Sequence, residues 1–132
     1  MTIKLEIKTS QHAGRVPVTL FELIGEMDAS NSPQVQAGIQ QALDAGARYM
    51  VIDFSQVTYI SSSGLRVIYS VAKALSTLGE QTEHTEFRAG TFKSAYLKLL
   101  NPSQNVRKAL EVMGFNMYIE IHSDLSQAIA SF

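Results

Sequence analysis

Residues 49–54, YMVIDF, form a short and almost unbroken apolar run between two segments of helical period. A run of this kind is a strand covered on both faces, and strands joined through helices lie parallel with right-handed crossovers. It therefore directs the chain towards an α/β sheet with helices packed against it. Upstream, Ser32-Pro33 supplies a helix start: a hydroxyl for the free N–H groups, then proline at the first helical position. Val35, Ile39, Ala42 and Leu43 share one face of that helix, and Gly46 stops it. Downstream, Leu65, Ile68, Val71, Ala72 and Leu75 recur at helical spacing until Gly79.

The flanks extend this order. Ile3, Leu5 and Ile7 alternate with Lys4, Glu6 and Lys8, the period of a half-buried strand. Residues 11–15 read as a turn around Gly14, and Val16, Val18, Leu20, Phe21, Leu23 and Ile24 predict a second strand ending at Gly25, so the two form a hairpin. Residues 80–95, polar and without period, read as a long loop or insertion. Residues 96–100 are a fourth strand, and Val106, Ala109, Leu110 and Met113 mark a third helix closed by Gly114. Met117, Ile119 and Ile121 alternate as a last strand; 124–132 predict a terminal helix with the capping-box pair Asp124 and Gln127. The expectation is one domain over 1–132, a small mixed β-sheet with helices packed on it, in the order β-β-α-β-α-β-α-β-α.

Composition narrows the function classes. At 132 residues with 45% hydrophobic and 17% charged side chains, the chain is an ordinary soluble globular domain. Its net charge of −1, with scattered cations, gives no electrostatic footprint for nucleic acid or an anionic membrane. No segment approaches the apolar span of a membrane helix, and the N-terminus lacks a signal-peptide pattern, so a cytoplasmic location is expected. The absence of cysteine removes disulfides, thiol catalysis and thiolate metal sites. His12, His84 and His122 are far apart, without ligand spacing, and read as loop or surface residues. No metal or cofactor is implied.

Between the central strand and the second helix stands VTYISSSGL, residues 57–65. One serine there suffices to cap the free N–H groups of a helix start. Three exceed that need. The same helix end favours an added phosphate, and Gly64 permits a sharp turn or a close approach. An esterase reading of Ser62 fails because Ile60 stands where a Gly-x-Ser-x-Gly elbow needs its first glycine, and no phosphate-cradling Gly-x-x-x-x-Gly-Lys stretch exists. On the residues alone, plain capping stands ahead of a regulatory phosphate site, and neither enzyme pattern is met. Asp28 suits a turn before the positive end of the first helix, and Asp53 reads as a structural carboxylate bonding backbone.

Three segments, in order, resemble the anti-sigma factor antagonists and the wider STAS domain family: Gly25-Glu26-Met27-Asp28, VIDFS followed by VTYISSSGL, and YLKLLNPSQNVRKALEVMGF. The resemblance covers nearly the whole chain. It implies that Ser62 is phosphorylated by an anti-sigma factor serine kinase and restored by a PP2C-type phosphatase. It also implies that Asp28, Ser61, Ser62, Ser63, Gly64 and Leu65 face that partner. The family's aspartate before the acceptor is here Ser61, which leaves Ser61 and Ser63 as alternative acceptors. A second reading keeps the fold without the switch, as a STAS subunit of a transporter or scaffold complex.

Overall fold

The computed structural model describes residues 5–80 and 94–132. Among these, five strands pair side by side in sequence order: β1 (Leu5–Ala13), β2 (Pro17–Met27), β3 (Met50–Ile60), β4 (Leu97–Leu100) and β5 (Glu120–His122). β1 and β2 are an antiparallel hairpin, whereas β2, β3, β4 and β5 pair in parallel. Parallel neighbours need crossovers, and helices α1 (Ser32–Asp44), α2 (Ser62–Glu80) and α3 (Gln104–Val112) supply or accompany them. α4 (Leu125–Ala130) follows β5. This is the mixed α/β sheet that the sequence pattern predicts.

Strand alternation assigns the two faces. Phe21, Leu23, Met50, Ile52, Phe54, Leu97 and Leu99 bury one face against Val35, Ile39, Ile68, Val71, Leu75, Val106 and Leu110 of the first three helices. On the other face Val18, Leu20, Val51 and Leu100 pack with Ala128 of α4, and Leu125, Ile129 and Phe132 close over them. The central strand is therefore covered on both sides, as its apolar run requires.

Several boundaries differ from the pattern-based expectation. β1 continues through Gln11 and His12 to Ala13, leaving a three-residue turn at Gly14, Arg15 and Val16. β2 passes through Gly25, at φ 122°, to Met27. β3 runs six residues past Phe54, because its pairing with β2 slips between Glu22 and Ile24 and again between Gly25 and Glu26. Each slip inserts an extra β3 residue, so burial falls on Phe54, Val57 and Ile60 instead of alternating. Asp53 sits at the first slip, where its Oδ1 accepts the Ser55 N–H at 2.8 Å, a backbone-bonding role as expected.

Helix ends show the same kind of correction. Asn31, not Ser32, is the N-cap residue of α1. The Ser32 hydroxyl instead donates to the Asp28 carbonyl at 2.6 Å. α2 includes Gly79. Gly114, at φ 77°, does end α3, but the chain then forms a 3-10 turn, Phe115–Met117, that buries Phe115 and leaves Met117 and Tyr118 exposed. The last strand accordingly begins at Glu120. Asp124 precedes α4 but makes no side-chain cap bond, so the expected capping box is not formed. His12 and His122 lie on strands, not loops, and both are part-buried. Ile3, His84 and residues 81–93 of the expected long loop lie outside the described residues.

Candidate functional site

The parallel strands deliver their C-terminal ends to one edge of the sheet, where three loops meet: β2 to α1, β3 to α2 and β4 to α3. Such an edge is the usual place for a site in an open α/β sheet. The first two loops are tied together by the Ser61 N–H, which donates to the Met27 carbonyl at 2.8 Å. Ser103, from the third, caps α3 by accepting the Val106 N–H and donates its hydroxyl to the Val57 carbonyl, both at 3.4 Å. The edge is thus a bonded unit.

The β2–α1 loop is locked by two side chains that imitate backbone turns. Asp28 Oδ1 accepts from the Ser30 N–H at 2.9 Å, the Ser30 hydroxyl at 2.5 Å and the Asn31 N–H at 3.3 Å. In return Asn31 Oδ1 accepts the Asp28 N–H at 2.9 Å, and its amide donates to the Glu26 carbonyl at 2.7 Å. Asn31 and Ser32 are consequently buried, while Asp28 remains half-exposed. Its carboxylate holds the loop's shape and still reaches the surface.

At the start of α2 the three serines occupy different environments. Ser61 is the cap: its Oγ accepts the Gly64 N–H at 3.2 Å and its carbonyl accepts the Leu65 N–H at 3.0 Å. Ser62 is exposed and makes no side-chain hydrogen bond to any of the described residues. Ser63 is half-buried and lines a shallow groove with Ala29, Pro33, Gln36 and Arg66, between α1 and α2. Gly64 is buried, and a Cβ there would lie 2.8 Å from Ile60 Cγ1 and 3.0 Å from Met27 Cγ. It lets α2 start close against the ends of β2 and β3. Leu65 is 8% exposed and forms the floor of a second groove, shared with Asn105, Lys108, Val112 and Met113.

The structure therefore gathers Asp28, Ser61, Ser62 and Ser63 on one rim, and sets Gly64 and Leu65 beneath it. Two residues join them that the sequence reading passed over. Tyr59, 53% exposed, stands at the end of β3 opposite Glu26, two residues before Ser61. Arg66 is exposed one helical turn beyond Ser62. The four-residue spacing to Ser62 was the available signal for Arg66, whereas Tyr59 was hidden by the irregular burial of β3. Among the described residues no cluster of three or more His, Asp or Glu side chains could hold a metal. No helix among them is long and apolar enough to cross a membrane.

The family profile of the STAS domain matches residues 6–82, more than half of the chain. The chain belongs to the STAS domain family. This STAS domain is 29% identical over 110 residues to "Putative anti-sigma factor antagonist BtrV" of Bordetella bronchiseptica, a match covering 83% of this chain and 82% of that protein. Among solved structures it is similar to an anti-sigma factor antagonist from Mycobacterium paratuberculosis, with 16% identity, TM-score 0.73 and coverage of 96% and 92% of the two chains. It is also similar to the anti-sigma factor antagonist SpoIIAA in its unphosphorylated form, at 22% identity, TM-score 0.69 and coverage of 94% and 93%. The phosphorylated form of the Bacillus protein gives 21%, 0.65, and 94% and 96%. At these identities the structural likeness is one of fold.

Proposed function

We propose that this STAS domain is an anti-sigma factor antagonist switched by phosphorylation of Ser62. Unphosphorylated, the rim of Asp28, Ser61, Ser62 and Ser63 docks on an anti-sigma factor serine kinase and displaces its client. In the kinase reaction Ser62 Oγ bonds to the γ-phosphorus of ATP, the bond to ADP breaks, and the hydroxyl proton passes to a base on the kinase. The product carries close to two added negative charges on the docking rim, which oppose rebinding by repulsion and by the cost of desolvation. A hundredfold loss of affinity corresponds to about 2.7 kcal/mol, within reach of a charge misplaced in an interface. A PP2C-type phosphatase hydrolyses the ester and restores the hydroxyl.

The observation that carries this reading is the division of labour between adjacent serines. Ser61 takes the capping bond, so Ser62 presents an exposed hydroxyl that bonds none of the described residues. The names of BtrV and SpoIIAA, and the existence of SpoIIAA in both phosphorylation states, support the same assignment. The test is incubation with the cognate kinase and ATP, localisation of phosphate by tandem mass spectrometry, and calorimetric titration of both forms. Phosphate on Ser62 with weakened binding is the expected result. Phosphate on Ser61 or Ser63 moves the acceptor; no phosphate and constant binding makes the chain a non-switching STAS subunit.

A further inference from the structure

The three serines differ in what lies one helical turn beyond them. Ser61 precedes Leu65, 8% exposed, and Ser63 precedes Val67, 5% exposed, whereas Ser62 precedes the exposed Arg66. Residues four apart stack on one side of a helix, and an acidic group N-terminal to a base at that spacing is the favoured order. Arg66 has no ion pair among the described residues, and α2 has no acidic side chain in its first turn. The groove it lines with Ala29, Pro33, Gln36, Ser63 and Ser70 holds no other charged side chain, and α1 carries none before Asp44. The nearest carboxylate of the β2–α1 loop, Asp28, is engaged by Ser30 and Asn31. Arg66 thus stands without an ion pair among the described residues, four residues beyond the exposed Ser62 and three beyond the half-buried Ser63, whose groove it shares.

We propose that Arg66 is the intramolecular clamp for a phosphate on Ser62, an inference that rests on Ser62 being the acceptor. The guanidinium donates charge-assisted hydrogen bonds to the phosphate oxygens, which suit its planar fork. Phosphorylation then alters the docking face twice: it adds anionic charge, and it withdraws Arg66 from any contact with the partner. Phosphate on Ser61 finds no base three or four residues on, where Gly64 and Leu65 stand; the half-buried Ser63 shares the groove of Arg66 but is less open to a kinase.

Phosphoserine installed at position 62 by genetically encoded incorporation tests this without a kinase. A ³¹P titration of the full chain should give a second phosphate pKa lower by roughly 0.2–0.4 pH unit than in Arg66→Gln. The gap should shrink in 1 M salt, and Arg66→Lys should retain only part of it. Phosphoserine at position 61, five residues before Arg66, should titrate nearly alike with and without Arg66→Gln. Equal pKa values at position 62 in wild type and Arg66→Gln overturn the clamp. If Arg66→Gln fails to fold, the Arg66 Nε–H resonance of the unsubstituted chain decides: it should move on phosphoserine incorporation at 62, and an unmoved signal overturns the proposal. A clear clamp in a chain that its kinase never phosphorylates would retain the pairing and remove the acceptor reading.

Discussion

Ser61 Oγ accepts the Gly64 N–H, and Ser62, the very next residue, points its hydroxyl to solvent with no partner among the described residues. Capping thereby falls to Ser61, and the proposed switch falls to its neighbour. Ser61→Ala should lose about 0.5–2 kcal/mol, the usual cost of an N-cap, while Ser62→Ala stays within about 0.5 kcal/mol of wild type. Ser62→Asp, at the positive end of α2, should melt at or slightly above wild type, by up to about 1 kcal/mol. Urea and thermal melts on the three variants check this. A larger loss for Ser62→Ala than for Ser61→Ala would reverse the assignment.

Gly64→Ala should destabilise by about 1–3 kcal/mol, because its new methyl group would press on Ile60 and Met27 at the tightest point of the site. Relief requires α2 to shift, so the serines move with it. Urea denaturation gives the energy, and amide chemical shifts of residues 61–63 report the displacement. An unchanged midpoint would show that Met27 swings aside freely.

Lys98 is buried on the α4 side of the sheet, with 3% of its side chain exposed, and pairs with Glu120 Oε2 at 2.5 Å. Its ammonium also lies 5.2 Å from the ring centroid of Phe132. Burial alone would raise the Glu120 pKa, but the hydrogen bond and charge of Lys98, with His122 alongside, hold it below the ordinary carboxylate value. A carboxyl depressed on folding contributes stability above its unfolded pKa of about 4.3, and that contribution is lost as pH falls through the lower folded value. Glu120→Gln should therefore flatten the stability profile at the acid end of that window. Denaturant midpoints from pH 6 down to 3 would show it.

The same pair predicts an asymmetry. Glu120→Ala strands a buried ammonium and should cost about 2 kcal/mol, less than for a fully buried pair because Glu120 is 36% exposed. Lys98→Met leaves a carboxylate that water can reach and should be close to neutral. A double-mutant cycle by urea denaturation measures the coupling, and equal losses for the two single variants would contradict this account.

Ser103→Ala removes both the α3 cap and the bond to the Val57 carbonyl, and should cost about 1 kcal/mol. Thermal melts would detect it, and a loss below about 0.3 kcal/mol would show that water replaces both contacts.

Much of this architecture was legible because most elements obey one period. The hairpin, the helical faces of α1, α2 and α3, and the stop at Gly114 follow from local patterning that the tertiary fold confirms. The misreadings arise where two periods overlap. β3 buries Phe54, Val57 and Ile60 at a spacing of three, which no isolated strand shows, because two extra residues are accommodated only when β2 is beside it. Met117 looked like strand alternation but sits in the turn after α3, a placement set by the burial of Phe115.

The serine run was legible as a group but not residue by residue. Which hydroxyl caps depends on where β3 ends, and that end lies at Ile60, six residues beyond the regular alternation. Asp28 could be seen as a turn carboxylate from sequence; its exchange of bonds with Asn31 depends on a buried amide whose neighbours are distant in the chain.

The hairpin of β1 and β2 closes with a turn at 14–16, while the parallel pairs of β2, β3 and β4 form only after a whole crossover has been ordered. Loop-closure entropy therefore predicts that the hairpin forms before the crossovers, while α4 brings Ile129 against the exposed Gly14, where a Cβ would lie 2.8 Å from its Cγ2. Removing methyl groups at Val18 should slow refolding, whereas shortening Ile129 should chiefly speed unfolding. The chain's final turn acts as a bolt on its first one.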